Sequence, residues 1–296
     1  MRRLVVLGMA IAVAAGLSAC SSSSKTASPA TTPATTAPAA TGACGAVPAA
    51  ASGFKPVVTD TLSVVTSLPA PGFMNTSNAS PTDITSGYEY DIAKCLESDF
   101  GLHKLNIRNV SFDAIVAGTV TKYDLALSQI SITAKRAKVL LFSTPYFESQ
   151  QGILMRKGDS VSTLADAKKI KWGVESATTA IDLLKKIGVD NPHSYESLAD
   201  AYTALQAKQI DAVLIDTAIN LGQAARSGGA LHVPAQFNQS GGPDHYGAAL
   251  PKDSANLAAV DAVFKSLKDS GALSKLVIKD LTADPGTIPV IQVPAG

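Results

Sequence analysis

The sequence predicts an α/β protein with mostly parallel sheets flanked by helices, gathered into two lobes. Three observations carry this reading. From about residue 53 onward, strand-like and helix-like segments alternate, the pattern of sheets covered by helices on both faces. A short residue pattern at 113–127 returns at 200–214 with a constant offset of 87. The body beyond residue 53 is about 240 residues long, enough for one large domain or two lobes.

The elements follow in order. Thr61–Thr66 (Thr-Leu-Ser-Val-Val-Thr) is rich in β-branched residues and reads as a strand. A Pro-, Gly-, Asn- and Ser-rich loop runs from Leu68 to Gly87. Ile92, Leu96 and Phe100 share one helical face and predict a helix over 91–100. A short strand at 105–110, a helix at 113–120 and a buried strand at 123–130 come next. The second half repeats the style, with a strand at 171–174, helices at 178–187 and 197–207, and a strand at 210–215. A last strand near 246–250 precedes a helix over 255–269, where Val260, Phe264 and Leu267 form the apolar stripe.

The echo places Asp113, Ala114, Ala117, Asp124 and Leu127 over Asp200, Ala201, Ala204, Asp211 and Leu214. Each set reads as a helix, a polar turn, an aspartate and a buried strand, so the lobes are expected to share a topology. Open α/β sheets bind ligands at the carboxyl ends of their strands. Here those ends are Ser128-Gln129-Ile130-Ser131 in one lobe and Asp216-Thr217 in the other. Two such edges facing each other make a cleft.

The amino-terminal end predicts export. Arg2 and Arg3 precede Leu4–Ala19, sixteen uncharged, largely apolar residues, short for spanning a hydrocarbon core of about 30 Å. The stretch ends in Leu17-Ser18-Ala19-Cys20, which resembles the lipobox of bacterial lipoproteins. That resemblance implies cleavage after residue 19 and acylation of Cys20, placing the protein on the extracytoplasmic face of the membrane; an ordinary secretory signal is the plainer alternative. Ser, Thr, Pro and Ala dominate residues 21–43 and predict a disordered tether, reaching the body near residue 52. Cleavage would remove two arginines and no acid, taking the formal charge from +1 to −1. Such a balance argues against nucleic acid as a partner. Cys44 and Cys95 remain, and outside the cytoplasm a leftover pair is expected to be bridged.

The body also resembles a known family. Gly87-Tyr88-Glu89-Tyr90-Asp91-Ile92-Ala93, Phe112-Asp113-Ala114-Ile115 and Tyr123-Asp124-Leu125-Ala126 are similar to segments of the family 3 extracellular solute-binding proteins. The block Ser131-Ile132-Thr133-Ala134-Lys135-Arg136, followed by Phe142-Ser143-Thr144-Pro145-Tyr146, matches that family's signature most closely. The resemblance implies a type II periplasmic-binding fold, with one lobe over 53–148 plus 246–296 and the other over 149–245. It implies capture of an amino acid for the membrane permease of an ABC importer, by a monomer needing no cofactor or metal.

Ligand chemistry suits the residues involved. An amino acid's carboxylate wants a planar, permanently charged fork, a role the family gives to Arg136; by itself, Arg136 reads equally as a solvated charge among Lys135 and Lys138. Helix-start amides at Thr178 and Thr179 would supply a second anion contact, although each also reads as a plain N-cap, and Ala177 stands where the family often has glycine. Asp216 would receive the ammonium, its competing role being a cap on the following helix. Ser131, through its hydroxyl, and Gln129, through its backbone carbonyl and a side chain reaching the ligand, complete the implied set. Phe73 either stacks on the ligand or belongs to the core. Ser67 replaces an early aspartate of cationic-amino-acid receptors, which favours a neutral polar or acidic ligand.

Two other classes compete. An exported enzyme on the same fold, resembling the cyclohexadienyl dehydratases, would need an acid or base, yet no nucleophile–base pair is marked. His103, His193, His232 and His245 have no metal-ligand spacing, and no Gly-rich phosphate loop appears. A ligand sensor for a membrane signalling partner would carry the same binding chemistry.

Overall fold

The computed structural model describes residues 41–42, 44–77, 80–238, 242–281 and 285–294. The expected signal segment 1–19, Cys20 and the expected tether as far as residue 40 lie outside the described residues. Among the described residues no helix is long and apolar enough to cross a membrane.

A short hairpin, β1 (Thr41–Gly42) and β2 (Gly45–Ala46), comes first. Cys44, between its strands, is disulfide-bonded to Cys95 of helix α1 (Tyr88–Asp99), with Cα atoms 5.6 Å apart. The body begins earlier than the expected boundary near 53. Ala51, in the 3-10 turn Ala49–Gly53, is fully buried, and Phe54 stacks on Phe100 with ring centroids 3.9 Å apart.

The first sheet is built on β3 (Thr61–Thr66), which pairs in parallel with β4 (Lys104–Asn109) and β5 (Leu125–Ala126). All six β3 residues are buried because both faces are covered, as a central strand in an α/β sheet requires. Leu62 and Val64 pack into the core with Ile92 and Leu96 of α1, whereas Val65 meets Phe112 and Ile115 of α2 (Phe112–Val116). Residue 113–120 was too long a span for α2: Gly118, at φ +70°, follows its end. β6 (Leu140–Phe142) completes the edge through a strand that arrives later in the chain.

The chain then enters a short strand, β7 (Phe147–Ser149), and the second sheet begins with β8 (Gln151–Arg156). After the single turn α3 (Leu164–Ala167) come β9 (Trp172–Glu175), α4 (Thr179–Lys186), β10 (His193–Tyr195), α5 (Leu198–Gln206), β11 (Ala212–Asp216), α6 (Thr217–Arg226) and β12 (Leu231–Asn238). β10, β9 and β11 are parallel neighbours. β8 runs antiparallel between β11 and β12.

β13 (Asp244–Tyr246) pairs antiparallel with β7, so both crossings between the sheets lie side by side in one ribbon. β14 (Ala249–Pro251) then inserts antiparallel between β5 and β6. Each sheet therefore carries one antiparallel strand, β14 in the first and β8 in the second, while its other strands all run the same way, the mostly parallel arrangement expected. Helices α7 (Leu257–Asp269) and α8 (Ala272–Asp280) close the first half, with Val260, Phe264 and Leu267 of α7 buried as the apolar stripe requires.

One lobe assignment is corrected. Residues 246–296 do not all belong with the first sheet, because β15 (Val290–Gln292) pairs in parallel with β12 at Gln236–Asn238. This third crossing satisfies an otherwise open strand edge and buries Ile291 in the core with Phe237.

The 87-residue echo has structural content. α2 leads to β5 and α5 leads to β11. Asp124, just before β5, accepts from the Ser63 amide of the neighbouring strand at 2.8 Å and from Val57 N at 2.7 Å. Asp211, just before β11, accepts from Lys171 N at 3.0 Å at the base of β9. In both halves one carboxylate ties the start of a central strand to its parallel neighbour.

Candidate functional site

A cavity lies where the carboxyl ends of both sheets meet. Its walls carry Gln129, Ser131, Arg136, Thr178, Thr179 and Asp216, six of the seven residues singled out for the ligand. Ser67 and Pro69 follow β3, Ser128–Ser131 follow β5, and Asp216 ends β11, so the strand order itself brings them together.

Arg136 opens the 3-10 turn Arg136–Lys138 and is 5% exposed, unlike a solvated surface charge. Its guanidinium donates from Nη1 to the Ser131 carbonyl at 2.7 Å and from Nη2 to the Ala177 carbonyl at 3.0 Å. The first partner lies past β5, bridged to Tyr246, and the second in the loop before α4, so the fork joins the two halves. Burial lowers its pKa, an effect opposed by the charges of Asp216, Asp244 and Asp182. The guanidinium also stands 5.2 Å over the Phe112 ring, a favourable stack for Arg. Phe112, on the cavity wall, is the aromatic that sequence reasoning missed; its place at a helix start beside Asp113 marked it only as part of a motif.

Phe73 does not reach the cavity. It is fully buried and absent from the cavity wall, packed edge-on against Tyr88, Phe147 and Tyr246 at 5.6–6.1 Å. The tight loop in which Phe73 N and Met74 N both donate to Ala70 O turns the ring into the core.

Asp216 is 4% exposed and sits at the N-cap position of α6, yet its side chain makes no cap hydrogen bond. The carboxylate is therefore directed elsewhere. Gln151 Nε2 donates to it at 3.3 Å and to Asp244 at 2.9 Å, and Thr179 Oγ1 donates to Asp244 at 2.9 Å. Burial pushes the Asp216 carboxyl well above the usual range, Asp244 adds to the rise, and Tyr246 and Arg136 oppose it. A buried carboxylate with one nearby guanidinium is arranged to meet a cation.

Thr178 is the N-cap of α4, but its hydroxyl donates backward to the Glu175 carbonyl at 2.7 Å rather than capping. The first amides of α4 remain at the cavity, where the helix dipole favours an anion. Ala177 holds the preceding turn at φ +62°, a left-handed conformation that explains glycine's usual presence there.

Gln129, at φ +49°, has its side chain turned away from the role expected of it. Its backbone N donates to Glu89 Oε1 at 2.8 Å, and its Nε2 donates to Glu89 Oε2. Tyr146 also donates to Glu89. Glu89, fully buried at the start of α1, fixes the β5 loop from behind; burial pushes its carboxyl up to about 7 against these hydrogen bonds. His245 lies outside the cavity, exposed and 3.4 Å from Glu148. No cluster of metal-binding side chains occurs among the described residues.

The model for bacterial extracellular solute-binding proteins, family 3, matches residues 62–280. The ABC transporter arginine-binding protein 1 of Escherichia coli is 28% identical over 200 residues, 64% of this chain and 79% of that protein. The L-cystine-binding protein of the same organism is 30% identical over 207 residues, covering 67% of this chain and 75% of that one. Among solved structures, an ancestral amino-acid-binding protein, a precursor of cyclohexadienyl dehydratase, superposes with a TM-score of 0.65. It is 25% identical, covering 75% of this chain and 96% of its own.

Proposed function

The chain belongs to the bacterial extracellular solute-binding proteins of family 3, and on that premise we propose that it captures a free amino acid outside the cytoplasm for an ABC importer. The observation that carries this reading is the placement of Arg136 and Asp216 on the walls of one cavity, from opposite sheets. The guanidinium meets the ligand's α-carboxylate, assisted by the α4 amides near Thr178 and Thr179. Asp216 meets the ammonium, and Ser131 and the Gln129 carbonyl complete the polar wall. Relatives named for arginine and for L-cystine support the amino-acid class without fixing its member.

Capture proceeds by a hinge at the β7–β13 ribbon, which brings the halves together around the zwitterion and presents a joined surface to the permease. Acylated Cys20 holds the protein to the membrane through the tether. Calorimetric titration with the twenty amino acids tests the reading: at least one should bind with unit stoichiometry, and binding by none would overturn it.

The structural likeness to a dehydratase precursor favours one second reading, turnover of an amino-acid-like substrate. Incubation with prephenate or arogenate should yield no aromatic product. Its appearance would make the cavity an active site.

A further inference from the structure

We propose that Glu175 reads the ligand's side chain, selecting amino acids whose side chains carry a cation or N–H donors over those carrying a carboxylate. The proposal rests on the amino-acid reading of the site.

Glu175 is the last residue of β9 and lines the same cavity as Arg136 and Asp216. The parallel register of β9 with β11, Trp172 beside Ala212, sets it level with Ile215. It therefore stands one strand, about 4.8 Å, from the strand that carries Asp216. It is 6% exposed. Among the described residues no Lys, Arg or His makes an ion pair with it; its carboxylate is held by the Leu198 amide at the start of α5. Asp113 of α2 acts on it repulsively from the facing half, and Glu175 in turn bears on the buried Tyr202 hydroxyl of α5.

Charge balance gives this placement a consequence. Arg136 is the one cation among the described residues lining the cavity. A zwitterion's carboxylate uses Arg136 and its ammonium uses Asp216, which leaves Glu175 as an unmatched acid. A cationic side chain would neutralise it; an amide could donate to it. An acidic side chain would instead find no cation to neutralise it, because Arg136 is taken by the α-carboxylate, and it could sit beside Asp113 only with Glu175 held protonated, which places such ligands well behind the cationic ones. Phe112, Leu198 and Ile219 supply apolar wall for the intervening methylenes. This reverses half of the expectation drawn from Ser67, which allowed an acidic ligand.

Burial holds the Glu175 carboxyl up near 8, with Asp113 adding to the rise. A cation arriving beside it would lower that value, so binding at neutral pH should expel a proton.

Titration calorimetry with arginine, lysine, glutamine and glutamate, in two buffers of different ionisation enthalpy, tests the proposal on the wild type and Glu175→Gln. The wild type should bind arginine or lysine at least about tenfold more tightly than glutamate, with proton release. Glu175→Gln should lose about tenfold or more for the cationic ligand, release fewer protons on binding it than the wild type does, and hold glutamine nearly unchanged. Glutamate binding as tightly as the cationic ligands overturns the proposal whether or not the variant folds. An unchanged cationic affinity in a folded variant does the same. Binding of none of the four, or of any other amino acid, would instead remove the reading beneath it and the proposal with it.

Discussion

Arg136 Nη2 donates to the carbonyl oxygen of Ala177 at 3.0 Å, tying a side chain rooted beyond the first sheet to the backbone that opens α4 beyond the second. The same guanidinium holds the Ser131 carbonyl, so one residue both faces the cavity and braces its two walls.

Because it is the cation among the described residues on the cavity wall, replacing it should affect binding more than folding despite the loss of that brace. Arg136→Ala should weaken amino-acid binding by roughly 100-fold or more, since losing one partner of a desolvated charge pair costs about 2–5 kcal/mol. Calorimetry measures the loss, and circular dichroism checks the fold. Retained affinity would remove Arg136 from the site.

Ala177 holds φ +62° at the turn whose carbonyl that guanidinium grips. A left-handed alanine costs about 1–2 kcal/mol, while glycine gives back roughly half of that through the unfolded chain. Ala177→Gly should raise the melting temperature by about 2 °C. A fall would show that the methyl group makes a compensating contact.

Gly222 of α6 packs directly on the loop after β3. A Cβ added there would lie 2.6 Å from the Pro71 carbonyl oxygen, too close without movement. Next to it, Arg226 donates to Asn75. Gly222→Ala should wedge these two halves apart, at about 1–3 kcal/mol. Ligand affinity should fall about tenfold although the methyl group touches no ligand, and small-angle scattering should register a wider average shape. Unchanged affinity would mean the loop yields freely.

Burial raises Glu89 to about 7 and Glu175 to about 8. A carboxyl whose folded value exceeds its unfolded one binds more protons in the native state. Its stabilisation is full below about 4.5 and is lost as pH climbs through the folded value. The melting temperature should thus decline between about pH 5 and pH 8, and Glu89→Gln should flatten the slope below pH 7. A rise over that interval would contradict the burial of these groups.

The disulfide, which does not line the cavity, offers a control. Opening the roughly 50-residue loop between Cys44 and Cys95 should cost about 4 kcal/mol in the chain-entropy model. Reduction should lower the melting point by about 10 °C while leaving amino-acid affinity within about twofold.

Much of the site was legible because strand ends concentrate it. Ser128–Ser131 and Asp216 stand where apolar runs stop, and the echo with its paired aspartates marked the two halves. Phe73 was ambiguous because a Pro- and Gly-rich loop has no period to say which way an aromatic points. β8 and β12, inside the second sheet, escaped notice: β8 is buried along nearly its whole length and so does not alternate, and β12 contains Pro234 with a register shift between His232 and Ala235. Glu175 escaped because an acid at the end of an apolar strand reads as a solvated terminus. β15 was hidden by distance, being specified by a partner some fifty residues earlier.

That final strand also decides how the protein tolerates alteration. Ending the polypeptide before residue 290 would strip the outer flank of β12, baring Gln236–Asn238 as a template for another molecule's backbone. Trimming or fusing the carboxyl terminus thus risks intermolecular stacking rather than a simple loss of ligand.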